Sequence, residues 1–155
     1  MQDISALLSP QRCLCRVEDG SKKRLFERIA DTIGGEIEAF HAGDLVAGML
    51  AREKLGSTAL GGGIAIPHCR LNECDRPRGA LITLKTPIDF DAPDDEQVDL
   101  LFALVVPSEA TQEHLNILAD LARLFSQVDF CDALRACESS LELHAATLDW
   151  CAKAA

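Results

Sequence analysis

A chain of 155 residues, 48% apolar and 26% charged, is long enough to bury a real core in one domain and too apolar to stay disordered. A net charge of −10 argues against nucleic acid or an anionic membrane as partner and favours a protein that offers a basic patch. Seven scattered cysteines, no apolar leader and no run long enough for a bilayer point to a cytoplasmic protein with reduced thiols.

In chain order, Ile4 to Leu8 is moderately apolar and meets Ser9-Pro10, a turn or helix entry. Cys13 to Val17 alternates like a short strand. Ser21 is the predicted cap of a helix in which Leu25, Phe26, Ile29, Ala30 and Ile33 recur at helical spacing, and Gly34-Gly35 stops it. A second helix is predicted from Ala42–Asp44 to Leu55, with Arg52 and Glu53 on its last turn and Gly56 at its end. A glycine-rich loop follows, then a short strand at Ile64 to Ile66. Gly79 to Lys85 and Val98 to Val106 read as strands, the second apolar enough to be buried on both faces. Between them, Pro87 to Gln97 is acidic and turn-rich, as a surface loop is.

The last third is helical. Thr111 is expected to cap a helix with Leu115, Leu118, Ala119, Ala122 and Phe125 on its apolar face. A shorter helix spans Phe130 to Cys137, and Ser139 with Glu142 forms a capping-box pattern opening a final helix to about Lys153. The expected architecture is α/β, helices covering a mixed sheet, in a single domain over residues 1–155.

The chemistry concentrates between Arg52 and His68. That stretch holds an arginine, the hydroxyls of Ser57 and Thr58, Gly56, Gly61, Gly62 and Gly63, and a histidine directly after Pro67. Glycines cluster where a backbone needs positive φ or a close approach to a ligand. A neutral imidazole is a good nucleophile near pH 7 when one ring nitrogen is held protonated and the other is free. Attack on phosphorus would give a phosphohistidine, with Arg52 as the guanidinium and Ser57 and Thr58 as candidate phosphate contacts. His114, in the first turn of the Thr111 helix, is a candidate second histidine, and the two could meet at the carboxyl ends of strands.

Other patterns carry less. No Lys-Ser or Lys-Thr follows the glycines, so the loop is not a nucleotide P-loop. Cys13-x-Cys15 is too tight for zinc, and Cys69 and Cys74 beside His68 lack a fourth ligand, so no metal is expected. His41 and His144 receive no role.

The pattern Arg52-Glu53-x-x-Gly56-x-Thr58-x-x-Gly61-x-Gly63-x-Ala65-x-Pro67-His68 resembles the phosphorylation signature of the enzyme IIA components of the bacterial phosphoenolpyruvate:sugar phosphotransferase system, mannitol/fructose class. Pro107 to Leu124, with His114-Leu115, Leu118, Leu121 and Ala122, resembles the second block of that class. The resemblance implies a mixed five-stranded sheet sandwiched by helices. It implies His68 as the phosphorylated residue through Nε2, with Arg52 on the phosphoryl group and His114 as partner. The implied donor is a small phosphocarrier protein, and no cofactor is implied. The start Asp3-Ile4-Ser5-x-x-Leu8-Ser9-Pro10 is similar to the nitrogen-type regulatory branch, in which phosphorylation is a signal to protein partners in potassium and nitrogen regulation. The alternatives are a sugar-specific IIA that passes phosphate to a separate IIB, and a binding module that never carries phosphate. Cys69, next to His68, would let oxidation hinder docking if it were exposed.

Overall fold

From Leu100 to Val106 no residue is more than 1% exposed, because the strand that carries them is covered on both faces. The computed structural model describes residues 4–154, so Asp3 of the N-terminal resemblance lies outside the described residues. Two 3-10 turns, Ile4–Leu7 and Pro10–Arg12, lead into β1 (Cys13–Val17), α1 (Lys22–Gly34) and α2 (Ala42–Leu55). β2 (Ala59–Gly61), β3 (Ile64–Ala65), β4 (His68–Leu71), β5 (Arg78–Ile88) and β6 (Val98–Pro107) follow, then α3 (Thr111–Phe125), α4 (Val128–Ala136) and α5 (Ser140–Ala154).

The sheet is mixed and runs β1-β5-β6-β3-β2, with β4 also on β6. β1 is parallel to β5, β5 antiparallel to β6, and β3 and β4 both parallel to β6. Six strands appear where about five were expected, since one edge is split: Ile64 pairs with Leu100 and His68 with Leu104, in a single register interrupted at Pro67. Proline has no N–H for a ladder, which suits it to an edge.

Alternation along the strands fills two cores. Ala80, Ile82, Leu101, Ala103 and Val105 pack under α1 and α2. Leu81, Leu100, Phe102, Leu104 and Val106 pack under α3, α4, α5 and the 3-10 turns. Each fully buried large side chain contributes about 1.5–3 kcal/mol of transfer free energy. β1 changes faces at Arg16, whose φ of 52° accompanies a register shift between Leu14 and Val17.

Several local expectations needed correction. Ser21 caps α1 as expected, its side chain accepting from the Arg24 N–H. Thr111, by contrast, lies inside α3, and Ala110 is the cap residue with no side-chain bond. The apolar face of α3 is His114, Ile117, Leu121, Leu124 and Phe125, leaving Leu115 58% exposed. The helix is rotated from the expected face because His114 itself faces inward. β5 continues through Pro87, which is accommodated where its register to β6 breaks between Thr83 and Ile88. At α5, Ser139 accepts from the Glu142 N–H at 3.1 Å, but the Glu142 carboxylate takes the Glu138 N–H rather than that of Ser139. Cys69 is 6% exposed and burial pushes its thiol up to about 12, which removes the oxidation route considered above.

Candidate functional site

The glycines after Thr58 build a hairpin. Gly61 pairs with Ile64, and the intervening Gly62 and Gly63 have φ of 66° and 80°, as a two-residue turn with both centres left-handed requires. Their backbone groups are used internally, the Gly62 N–H donating to Asp94 and the Gly63 carbonyl accepting from the Asp99 and Leu100 N–H groups. These bonds fix the turn that leads into His68. The Ile66 N–H donates to the Thr58 carbonyl at 3.0 Å, which fixes the backbone two residues ahead of His68.

His68 opens β4 at the edge of the sheet, and its ring is held at both nitrogens. Nδ1 lies 2.8 Å from the Ile66 carbonyl oxygen, and the Arg52 Nε–H donates to Nε2 at 3.2 Å. A carbonyl can only accept and a guanidinium can only donate, so both contacts select the same neutral tautomer, protonated on Nδ1. Nε2 is then left with its lone pair, which faces Arg52. Burial holds the His68 pKa below its ordinary value, against the hydrogen bond to Ile66, and Arg52 adds to the lowering. Arg52 is steadied by a second bond, from Nη1 to the Gly56 carbonyl at the end of its own helix, at 2.8 Å.

His114 comes from α3 and meets His68 edge to face, with ring centres 5.2 Å apart and planes at 78°. It is 6% exposed and its pKa is lowered to about 4, first by burial and then by His68, Arg70 and Arg52. The Arg70 Nε–H donates to its Nδ1 at 3.3 Å, while its Nε2 is buried and has no partner.

The expected convergence of His68, Arg52 and His114 is therefore present, although His68 begins a strand and does not end one. Ser57 and Thr58 are placed differently from their expected role as phosphate contacts. The Ser57 hydroxyl donates to the Phe90 carbonyl and the Thr58 hydroxyl to Glu53. Glu53 also accepts from Lys22 at 3.2 Å, so Thr58 ties the hairpin to α2 beside Arg52. Sequence reasoning missed Arg70 and gave Glu53 no role. Arg70 sits two residues after His68 on the same face of a strand that was not anticipated; recognising that strand was the signal needed.

The three-layer α/β fold that brings these histidines together is that of the mannitol-type enzyme IIA proteins. The chain belongs to the family described as "Phosphoenolpyruvate-dependent sugar phosphotransferase system, EIIA 2", which it matches over residues 7–148. It is 44% identical over 146 residues to the nitrogen regulatory protein of Pseudomonas aeruginosa, covering 94% of this chain and 95% of that one. Against the nitrogen regulatory protein of Escherichia coli K12 the identity is 40% over 142 residues, 91% and 86% of the two chains. The crystal structure of nitrogen regulatory protein IIA-Ntr from Neisseria meningitidis superposes with a TM-score of 0.86 at 41% identity, covering 93% and 98%. IIA mannitol from Escherichia coli, at 20% identity, shares the fold with a TM-score of 0.72 over 90% and 98%. No helix among the described residues is long and apolar enough to cross a membrane.

Proposed function

We propose that the protein is a phosphorelay regulator: His68 Nε2 accepts a phosphoryl group from the phosphohistidine of a small phosphocarrier protein, and its phosphorylation state controls protein partners in nitrogen and potassium regulation. The observation that carries this reading is the His68 ring, with Nδ1–H committed to Ile66 and the Nε2 lone pair facing Arg52. In the transfer, the Nε2 lone pair attacks phosphorus and the P–N bond to the donor imidazole breaks, its electron pair returning to the donor. The Nδ1–H bond to Ile66 supports the positive charge that the acceptor ring gains. Arg52 and His114 are the groups that meet the phosphoryl oxygens. Ser57 and Thr58 act by holding the loop, since their hydroxyls already bind Phe90 and Glu53.

A phosphoryl group brings about −1.5 to −2 charges to this surface, enough to recruit or repel a docked partner. The relatives named nitrogen regulatory protein favour the regulatory branch over a sugar-specific one. The test is intact mass after incubation with phosphoenolpyruvate, the first phosphotransferase enzyme and its phosphocarrier, beside His68→Ala. Wild type gains one acid-labile phosphoryl group and the variant gains none. An unmodified wild-type protein with several cognate carriers would move the function to a phosphate-independent binding module.

A further inference from the structure

We propose that Arg70 is a positioning residue that fixes the tautomer of His114 and so makes its Nε2–H a hydrogen-bond donor for the phosphoryl group. The phosphoryl part of this proposal rests on phosphorylation of His68; the effect on the tautomer does not.

Arg70 and His68 lie two residues apart on β4, paired with Val106 and Leu104 of β6, so both side chains stand on the sheet face that α3 covers. The Arg70 Nε–H donates to His114 Nδ1 at 3.3 Å. A guanidinium has no acceptor, so Nδ1 must offer its lone pair. A neutral imidazole with a bare Nδ1 carries its proton on Nε2. The ring stays neutral because it is buried and faces the two guanidiniums Arg70 and Arg52, with the His68 imidazole beside it.

The second observation is Nε2 itself. It is a buried polar atom without a partner on a side chain that is 6% exposed. Leaving a buried donor unsatisfied is costly, and such atoms call for an explanation in function. An oxygen of a phosphoryl group on the adjacent His68 would supply the missing acceptor. With the opposite tautomer, Nε2 would present a lone pair to an anionic oxygen and repel it. Arg70 thus acts on the phosphoryl group through His114. Because Arg70 is exposed, replacing it leaves both cores intact.

The experiment uses full-length protein labelled with 15N in its imidazole rings. Long-range proton–nitrogen spectra of the unphosphorylated form report which nitrogen of His114 carries the proton, and phosphorylation rates are measured with the phosphocarrier. Wild type and Arg70→Lys are expected to show His114 protonated on Nε2 alone. Arg70→Leu is expected to show a mixture of tautomers and to be phosphorylated about tenfold more slowly, with the lysine variant recovering most of that loss. A wild-type His114 protonated on Nδ1 overturns the proposal, as does an Arg70→Leu protein with unchanged tautomer and rate. If wild type takes up no phosphoryl group, the relay reading and this site's phosphoryl role fall together, and the spectra decide separately whether Arg70 sets the tautomer.

Discussion

Two imidazoles packed edge to face, with guanidiniums on either side, disfavour protonation of either ring, and this makes the site sensitive to acid. His114 titrates near 4 in the folded protein against about 6.5 in an unfolded chain, and His68 is shifted in the same direction. Between those values the unfolded chain binds a proton that the folded protein refuses, so the unfolded state gains as pH falls. The contribution of His114 is fully present above pH 6.5 and is lost by about pH 4. After allowance for solvent screening this amounts to about 2 kcal/mol. Urea unfolding at pH 7 and pH 4.5 is expected to show a loss of stability that shrinks in His114→Gln, which cannot take up the proton. An equal loss in both proteins would place the acid sensitivity in His68 or the carboxylates instead.

At the scale of elements, what could be read from sequence depended on length. α1 and β6 carry enough residues for their period or apolar run to register, and their observed bounds lie close to those expected. β2 and β4 have three and four residues, too few for any period, and β4 takes its partner from β6 thirty-odd residues later. Arg52, His68 and His114 were accessible through their motif. Arg70 was not, because its contact exists only once β4 and α3 are placed. The face of α3 was misjudged for a related reason, since apolar counting favours Leu115 while tertiary packing selects His114.

The same packing yields a test of how α2 delivers Arg52. Gly48 faces β4, and a Cβ placed there would lie 3.2 Å from the Cys69 Cβ, tighter than ordinary contact. Gly48→Leu is therefore expected to push α2 from β4 and destabilise the protein by roughly 1–3 kcal/mol. Because Arg52 lies one turn further along the helix, phosphorylation should slow as well. Denaturant unfolding and the transfer rate check the two effects together. A destabilised variant that transfers at the wild-type rate would show that the Arg52–His68 contact does not depend on this helix–strand spacing.

Across the whole molecule, charge and apolar surface are distributed unevenly around His68. The chain carries −10, yet Arg52 and Arg70 stand against the His68–His114 pair, and Leu115 and Leu55 are exposed, at 58% and 85%. Scattered exposed leucines are ordinary on protein surfaces. These two, however, directly follow His114 and close the helix of Arg52, so under the proposed phosphorelay a docked carrier is expected to contact them. Leu115→Glu replaces an exposed side chain and should leave folding stability within about 0.5 kcal/mol of wild type. Its effect should appear in docking: phosphorylation by the phosphocarrier is expected to fall about tenfold, as for truncation of a contact residue worth over 1 kcal/mol. Phosphorylation by a small donor such as phosphoramidate should be unchanged, because no protein surface is covered in that reaction. Equal slowing with both donors would place the effect at His114 itself, and no slowing with either would exclude Leu115 from the docking face.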